Sequence, residues 1–274
     1  MGKENLAIVS NEKTYMNNQN YFCDNIDMKS IPEGLNKNFD IELFVRNSKS
    51  ERSSHKIDLK NIIVSSSIIS YIFNIFKKKN LHNKYLVISL SPHTFIICLL
   101  LFFLRKKVFV YLRSDGYEEY KCYSKYIGPI IYHIMFTMAS WVSTLIACRS
   151  RILYGKKGEL VSPSQLNDKW FTNRKSPDLK IAKLLYVGRI RIEKGVFSLV
   201  DLLKEIELNF DFTIFNPEKN YNKMLKVKNT KIIHFNKQHE SMIENYDEYN
   251  IFILPSFTES HPQVLDESLS RLRP

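Results

Sequence analysis

Short apolar runs rich in β-branched residues alternate with segments of helical length along most of this chain, and that alternation most constrains its fold. Residues 6–10, 41–45 and 62–65 are such runs, bounded by Asn, Lys and Ser, with the length and composition of buried strands. Residues 68–76 have helical length and end in Lys77-Lys78-Lys79, cations that suit a helix C-terminus. Two strand-then-helix units come next, 85–90 with 92–104 and 107–112 with a long segment from Glu118, and Pro92 suits a first helical turn, where its missing N–H costs nothing. Strands that alternate with helices require a parallel sheet covered on both faces. Between the first two runs, residues 11–38 lack periodicity and are expected to be loop with one short helix. Residues 152–154 and 159–161 suggest a short strand pair, or a strand and its approach.

The alternation is interrupted once. Residues 167–180, NDKWFTNRKSPDLK, are polar and contain a proline, with Trp170 and Phe171 as their apolar anchors. An interdomain linker is therefore expected at 171–180, dividing a domain of residues 1–170 from one of 181–274, and 274 residues suffice for two cores. Beyond it, strands at 184–188, 212–215, 231–235 and 251–254 alternate with helices at 195–207, near 221–226 and 240–245, and from Pro262.

Lys and Arg outnumber Asp and Glu by 40 to 28, a formal charge of +12 that points to an anionic partner: a phosphate ligand, a nucleic acid or an acidic membrane surface. The basic residues cluster at helix ends without interleaved aromatics, which argues against nucleic acid. The four cysteines have neither C-x-x-C spacing nor a histidine at zinc-ligand spacing, so no metal or disulfide framework is indicated and a cytoplasmic location is expected. The apolar run at 6–9 is too short for a signal-peptide core. Residues 126–148 hold no Asp, Glu, Lys or Arg, and His133, Thr137, Ser140 and Thr144 recur there on one helical face. A helix buried in the core is the expectation, with an interfacial helix and a true span as alternatives. Shared on one face, the clusters at 77–79, 105–107, 149–151 and 156–157 would favour peripheral contact with anionic headgroups, at about 1 kcal/mol per well-placed cation; solvated helix ends are the plainer alternative.

Two segments carry candidate chemistry. In LLYVGRIRIEKGVFSLVDLLKEI, residues 184–206, Arg189 directly follows a buried strand and Lys194 directly precedes a helix. That helix offers unpaired N–H groups and its positive dipole end, Gly195 permits close backbone approach, and two adjacent cations suit a diphosphate. In IFILPSFTESHPQVLDESLSRLRP, residues 251–274, Glu259 and Glu267 flank a strand-to-helix corner. On one helix they would stand about 12 Å apart, too far to share a proton or a metal. With Pro262 at the first helical position, Glu259 lies in the loop and Glu267 in the second turn, a spacing suited to accepting hydrogen bonds from separate hydroxyls of an elongated polyhydroxylated ligand. For Glu267 alone the alternative is an exposed helix acid.

Together, VGRIRIEKG at 187–195 and LPSFTESHPQVLDES at 254–268 resemble the retaining glycosyltransferases of family 4, whose E-x7-E pattern matches Glu259 and Glu267. The resemblance covers residues 184–274. It implies an α/β chain of the GT-B type, two Rossmann-like domains with mainly parallel sheets, the first on the acceptor side and the second binding the nucleotide-sugar donor. It further implies that Arg189 and Lys194 bind the donor diphosphate and stabilise the leaving charge, and that Glu259 contacts the donor sugar and Glu267 the ribose. Gly188, Gly195, Ser260 and His261 join the donor-binding set. The sugar would pass to a glycan or lipid-linked acceptor with retained configuration and no metal or other cofactor, in cell-envelope polysaccharide synthesis at the inner face of the membrane. The chain departs from that family in lacking a glycine-rich loop after its first strand, where it reads Val9-Ser10-Asn11-Glu12, and in the acceptor-side histidine. Arg113, Asp115 and His93 are the acceptor-side candidates, and an Arg113–Asp115 surface pair is the plainer alternative. The family's domain continues past the second Glu, whereas this chain stops at Pro274, so an incomplete donor domain, and with it a non-catalytic nucleotide-sugar-binding remnant, is the alternative expectation.

Overall fold

The computed structural model describes residues 2–49, 55–162, 164, 166–180, 182–216, 230–234, 242–257 and 262–274. It divides into two units, Met1–Ser162 and Pro163–Pro274. The division precedes the expected linker at 171–180, and the reason is Trp170. Its ring is fully buried in the second unit among Leu185, Val187, Phe215 and Tyr246, so the residues after Trp170 belong to that unit and are not a tether.

In the first unit, β1 (Glu4–Asn17), β2 (Asn20–Cys23), α1 (Asp27–Leu35), β3 (Phe39–Asn47), β4 (His55–Ile57) and β5 (Asn61–Ser65) come first. Next are α2 (Ile68–Lys77), β6 (Lys84–Ile88), α3 (Pro92–Phe103), β7 (Lys107–Leu112), α4 (Gly116–Tyr123), α5 (Ile127–Val142), β8 (Thr144–Ala147) and β9 (Gly158–Leu160). Seven strands pair in parallel in the order β5-β3-β1-β6-β7-β8-β9. Alternate residues feed the two faces: Ala7, Val9, Tyr85, Val87, Val108 and Val110 meet α2, α3 and α5, while Leu6, Ile8, Leu86 and Ile88 meet α1 and the β2–β4 side. Helix α3 begins as its proline suggests, with Ser91 and Thr94 closing a reciprocal capping box.

Three expectations fail for identifiable reasons. Residues 11–23 are not loop: β1 runs on past a register shift between Val9 and Lys13 and turns through Asn18 and Gln19, both at positive φ, into antiparallel β2. Its polar composition reflects a hairpin that buries only Thr14 and Cys23 and leaves the rest half-buried or exposed. Residues 126–148 are not one helix, because α5 stops at Val142, where the Ser143 hydroxyl donates to the Ala139 carbonyl at 2.7 Å and β-branched Thr144 and Ile146 continue as strand. The strand pair at 152–161 does not form: residues 150–153 are a 3₁₀ turn leading to β9, which is the alternative of a strand and its approach. Among the described residues no helix is long and apolar enough to cross a membrane.

The second unit contains β10 (Lys183–Val187), α6 (Val196–Lys204), β11 (Asp211–Asn216), β12 (Thr230–His234), α7 (Met242–Asp247), β13 (Ile251–Phe252) and α8 (Gln263–Ser270). Its strands are parallel in the order β12-β11-β10-β13, with α6 on one face and Trp170 and α7 on the other. The helix expected near 221–226 lies outside the described residues. Pro262 caps α8 and does not occupy its first turn. The segment after α8 is locked in: Arg271 and Arg273 are 1% and 2% exposed and share the Asp247 carboxylate, with Arg271 Nη2 at 2.6 Å from Oδ2. The remaining guanidinium donors of Arg271 reach the carbonyls of Trp170, Thr172 and Asn173 at 2.8–3.0 Å, so all five of its N–H groups are used.

Removing one partner of a buried ion pair strands the other. Arg271→Met should destabilise the second unit by about 3–5 kcal/mol. In a Trp141→Phe background the remaining Trp170 reports that unit in a thermal melt, and an unchanged midpoint would refute the role. In the first unit, buried Glu42 accepts from Lys78 at 2.8 Å and bonds His82 at 2.7 Å. Burial pushes its carboxyl up and these two partners more than reverse it, leaving it below its ordinary 4.5. A lowered folded value gives stability that is full above the unfolded pKa and lost as pH falls through the folded one. Glu42→Gln should thus reduce stability at neutral pH, and the difference from the wild type should vanish as pH falls through the lowered folded pKa of Glu42, in acid titrations followed by circular dichroism.

Candidate functional site

Strands β10 and β13 are neighbours in the second unit, pairing Leu184 with Ile251 and Leu185 with Phe252. Being parallel, they release their following segments at the same edge of the sheet, the carboxyl edge at which open α/β sheets bind ligands. The two motif segments are therefore brought together by topology, although some sixty residues separate them.

The first begins at Gly188, whose N–H extends the ladder to the Phe215 carbonyl at 3.0 Å. Buried Tyr186 donates its hydroxyl to the Arg189 carbonyl at 2.9 Å and pins the turn. A 3₁₀ turn over Ile192–Lys194 ends at Gly195, which takes φ +67° and starts α6. A Cβ there would lie 2.1 Å from the Pro255 carbonyl oxygen, so only glycine allows this loop to touch the segment leaving β13. Exposed Arg189 and half-buried Lys194 thus stand at the two ends of one loop that closes on the first turn of α6. The helix begins with the Leu199 N–H bonding the Gly195 carbonyl, and the N–H groups of residues 196–198 have no acceptor within the helix.

In the second segment, Glu267 lies in the second turn of α8 as expected, but it is 6% exposed and accepts a hydrogen bond from Tyr246 of α7 at 2.8 Å. It is not an exposed helix acid. Burial, the Glu267 charge and this hydrogen bond together hold the Tyr246 phenol well above its ordinary range, so Tyr246 stays a neutral donor and fixes the carboxylate. Tyr246 went unnoticed in the sequence because it sits 21 positions from its partner with no motif linking them; its place in the apolar pattern of α7 is the one signal available. Glu259, Ser260 and His261 lie outside the described residues.

The acceptor-side candidates collect at the carboxyl edge of the first unit's sheet. His93, in the first turn of α3, is held below its ordinary pKa by burial and then by the charge of Arg46, which itself donates to Asn11 at 2.9 Å. An imidazole so placed is neutral near pH 7 and able to accept a proton. Arg113 pairs with Asp27 at 3.4 Å and not with Asp115. Asp115 caps α4, accepting from the N–H groups of Tyr117 and Glu118, and bonds the Tyr154 hydroxyl, with Arg151 at 3.8 Å. Its carboxylate is committed to the fold, so His93 and Arg113 keep the stronger claim. No group of three His, Cys, Asp or Glu that could hold a metal ion occurs among the described residues.

No protein-family model and no curated protein sequence matches the chain. Solved structures do. The apo form of the lipopolysaccharide outer core galactosyltransferase WaaB is 14% identical with a TM-score of 0.67, over 98% of this chain and 79% of that one. A glycosyltransferase from Rickettsia africae is 14% identical with a TM-score of 0.60, over 98% and 78%. The UDP-GlcNAc 2-epimerase from Methanocaldococcus jannaschii is 13% identical with a TM-score of 0.55, over 98% and 82%. At these identities the likeness is one of fold: the chain is an α/β protein of the GT-B type, built of Rossmann-like units with mainly parallel sheets.

Proposed function

We infer that the chain is a retaining glycosyltransferase of the family 4 type, which moves a sugar from a nucleoside-diphosphate donor to a glycan or lipid-linked acceptor. The observation that carries this reading is the meeting of segments 188–195 and 254–257 at one sheet edge, sealed by the contact of Gly195 with Pro255. The names of the WaaB and Rickettsia africae neighbours support it. In this reading the donor diphosphate lies across the start of α6, where Arg189 and Lys194 neutralise the charge that grows as the sugar–phosphate bond breaks. Glu267, oriented by Tyr246, accepts a ribose hydroxyl, and Glu259 accepts from the donor sugar. In the first unit, His93 and Arg113 are the candidates for orienting the acceptor hydroxyl. Catalysis is then positioning and charge stabilisation without a metal. The reaction belongs to the cytoplasm, at the inner face of the membrane, in the synthesis of a cell-envelope polysaccharide.

The fold likeness to the 2-epimerase favours one competing reading, in which the same site alters the sugar instead of transferring it. A panel of nucleotide sugars with and without acceptor glycans separates the two: an epimer formed without acceptor would support the second. Nucleotide binding with no turnover would mark a non-catalytic module. For the transfer reading, calorimetry with UDP, GDP and ADP should detect binding, weakened about 10- to 100-fold by Arg189→Ala or Lys194→Ala. Unchanged affinity in both variants would refute the diphosphate assignment. Gly195→Ala, which needs a left-handed alanine and a displaced Pro255, should lose binding while both cations remain, and a variant with native affinity would sink the claim that this contact builds the site.

A further inference from the structure

Helices α2, α3 and α5 pack on the same side of the first unit's sheet, and a helix in that position needs one apolar face. Each has two. On α2 the outward face carries Ile69, Phe73 and Phe76, at spacings of four and three. On α3 it carries Ile96 and Phe103, the latter 78% exposed. On α5 it carries Ile127, Ile130, Ile134, Met138 and Trp141, at spacings of three, four, four and three, all turned away from the buried Tyr132, Met135, Phe136 and Ala139. Three helices on one side of the sheet thus present apolar stripes to solvent, which a soluble surface of scattered apolar residues does not do.

Charge identifies what covers them. The three helices contain no Asp or Glu. Residues 59–158 hold 15 Lys and Arg against three Asp and Glu, a surplus of 12 that equals the surplus of the whole chain; outside this span the charges balance at 25 against 25. The cations stand where the stripes end: Lys77 and Lys79 at the end of α2, Arg105–Lys107 after α3, and Lys125 before α5; Lys78 is held by Glu42, and Lys121 lies 3.6 Å from Glu118. Lys79 rests over the Phe76 ring at 3.7 Å and Lys125 over Tyr126 at 5.5 Å, each stem lying along an apolar surface. Exposed Tyr123 and Tyr126 at one end of α5 and Trp141 at the other, 75% exposed, are the residues enriched at the boundary of headgroups and acyl chains. Protein interfaces, by contrast, are depleted of lysine. At 16 residues α5 is about 24 Å long, too short to span a bilayer and suited to lying in its plane.

We propose that the outward faces of α2, α3 and α5 form a docking surface for an anionic lipid bilayer, inserting the apolar stripes below the headgroups while the flanking lysines and arginines bind lipid phosphates. The proposal is independent of the sugar-transfer reading. Its test uses the full chain with vesicles of phosphatidylcholine alone and of phosphatidylcholine mixed equally with phosphatidylglycerol. Trp141 is exposed and the other tryptophan, Trp170, is buried, so insertion reads out directly. Phosphatidylglycerol vesicles should shift the emission to the blue and shield Trp141 from iodide, and Phe73→Ser with Phe103→Ser and Ile134→Ser should weaken flotation with them at least about tenfold. Those substitutions lie on exposed positions, and a melt at the wild-type temperature verifies that the variant is folded. Three results would overturn the proposal: no flotation with anionic vesicles, flotation that the triple variant leaves unchanged, which is adsorption by charge alone, or a stable dimer in light scattering that the same variant dissociates.

Discussion

The approach of the Gly195 backbone to the Pro255 carbonyl is the constraint on which the second unit's site depends. It fixes the loop after β10 against the segment after β13, and it does so at an edge where both strands end. Without it, two cations on one loop and a carboxylate on a distant helix would have no defined relation. The contact requires a residue with no Cβ and positive φ at the moment the chain enters α6, and glycine is the one residue that meets both conditions without strain.

Beneath that contact, α7 and α8 are joined by two successive rungs. Tyr246 donates to Glu267, and the next residue, Asp247, receives Arg271, one helical turn beyond Glu267. The outer rung is ionic and extends into a net of backbone carbonyls at Trp170, Thr172, Asn173 and Lys175. The inner one holds the acid at the candidate site. The net charge of the buried cluster is positive, two guanidiniums against one carboxylate, and the surrounding carbonyl dipoles supply the balance. The position of Glu267 is thus set by the buried phenol of Tyr246 on the neighbouring helix.

Much of this was legible in the sequence. Strand and helix alternation, the proline that opens α3 and the two motif segments all depend on local pattern, and local pattern survives folding. What escaped depends on partners distant in the chain. Trp170 resembles the anchor of a linker until the core that buries it is known. Asp115 beside Arg113 reads as a pair, yet each finds a different partner, Arg151 and Asp27, because the turn into α4 directs the carboxylate back onto its own helix. The β1–β2 hairpin was hidden by its polarity, since a ribbon with few fully buried positions needs little apolar alternation. Glu267 has the composition of a surface position, and only α7 makes it a buried one.

The two units also differ in how much apolar character they carry beyond what their cores use. A sheet-covering helix is specified by a stripe of about three residues in seven. In α6 that stripe is Val196, Leu199, Val200 and Leu203, and one further leucine, Leu202, is exposed. Helices α3 and α5 exceed it with a second apolar face turned outward, and the excess lies within the span that holds the whole of the chain's positive surplus. Core packing explains the inward residues and solubility would oppose the outward ones. An apolar surface that is also the most cationic part of the chain satisfies neither demand in water, and both are met where hydrocarbon lies beneath a layer of anionic headgroups.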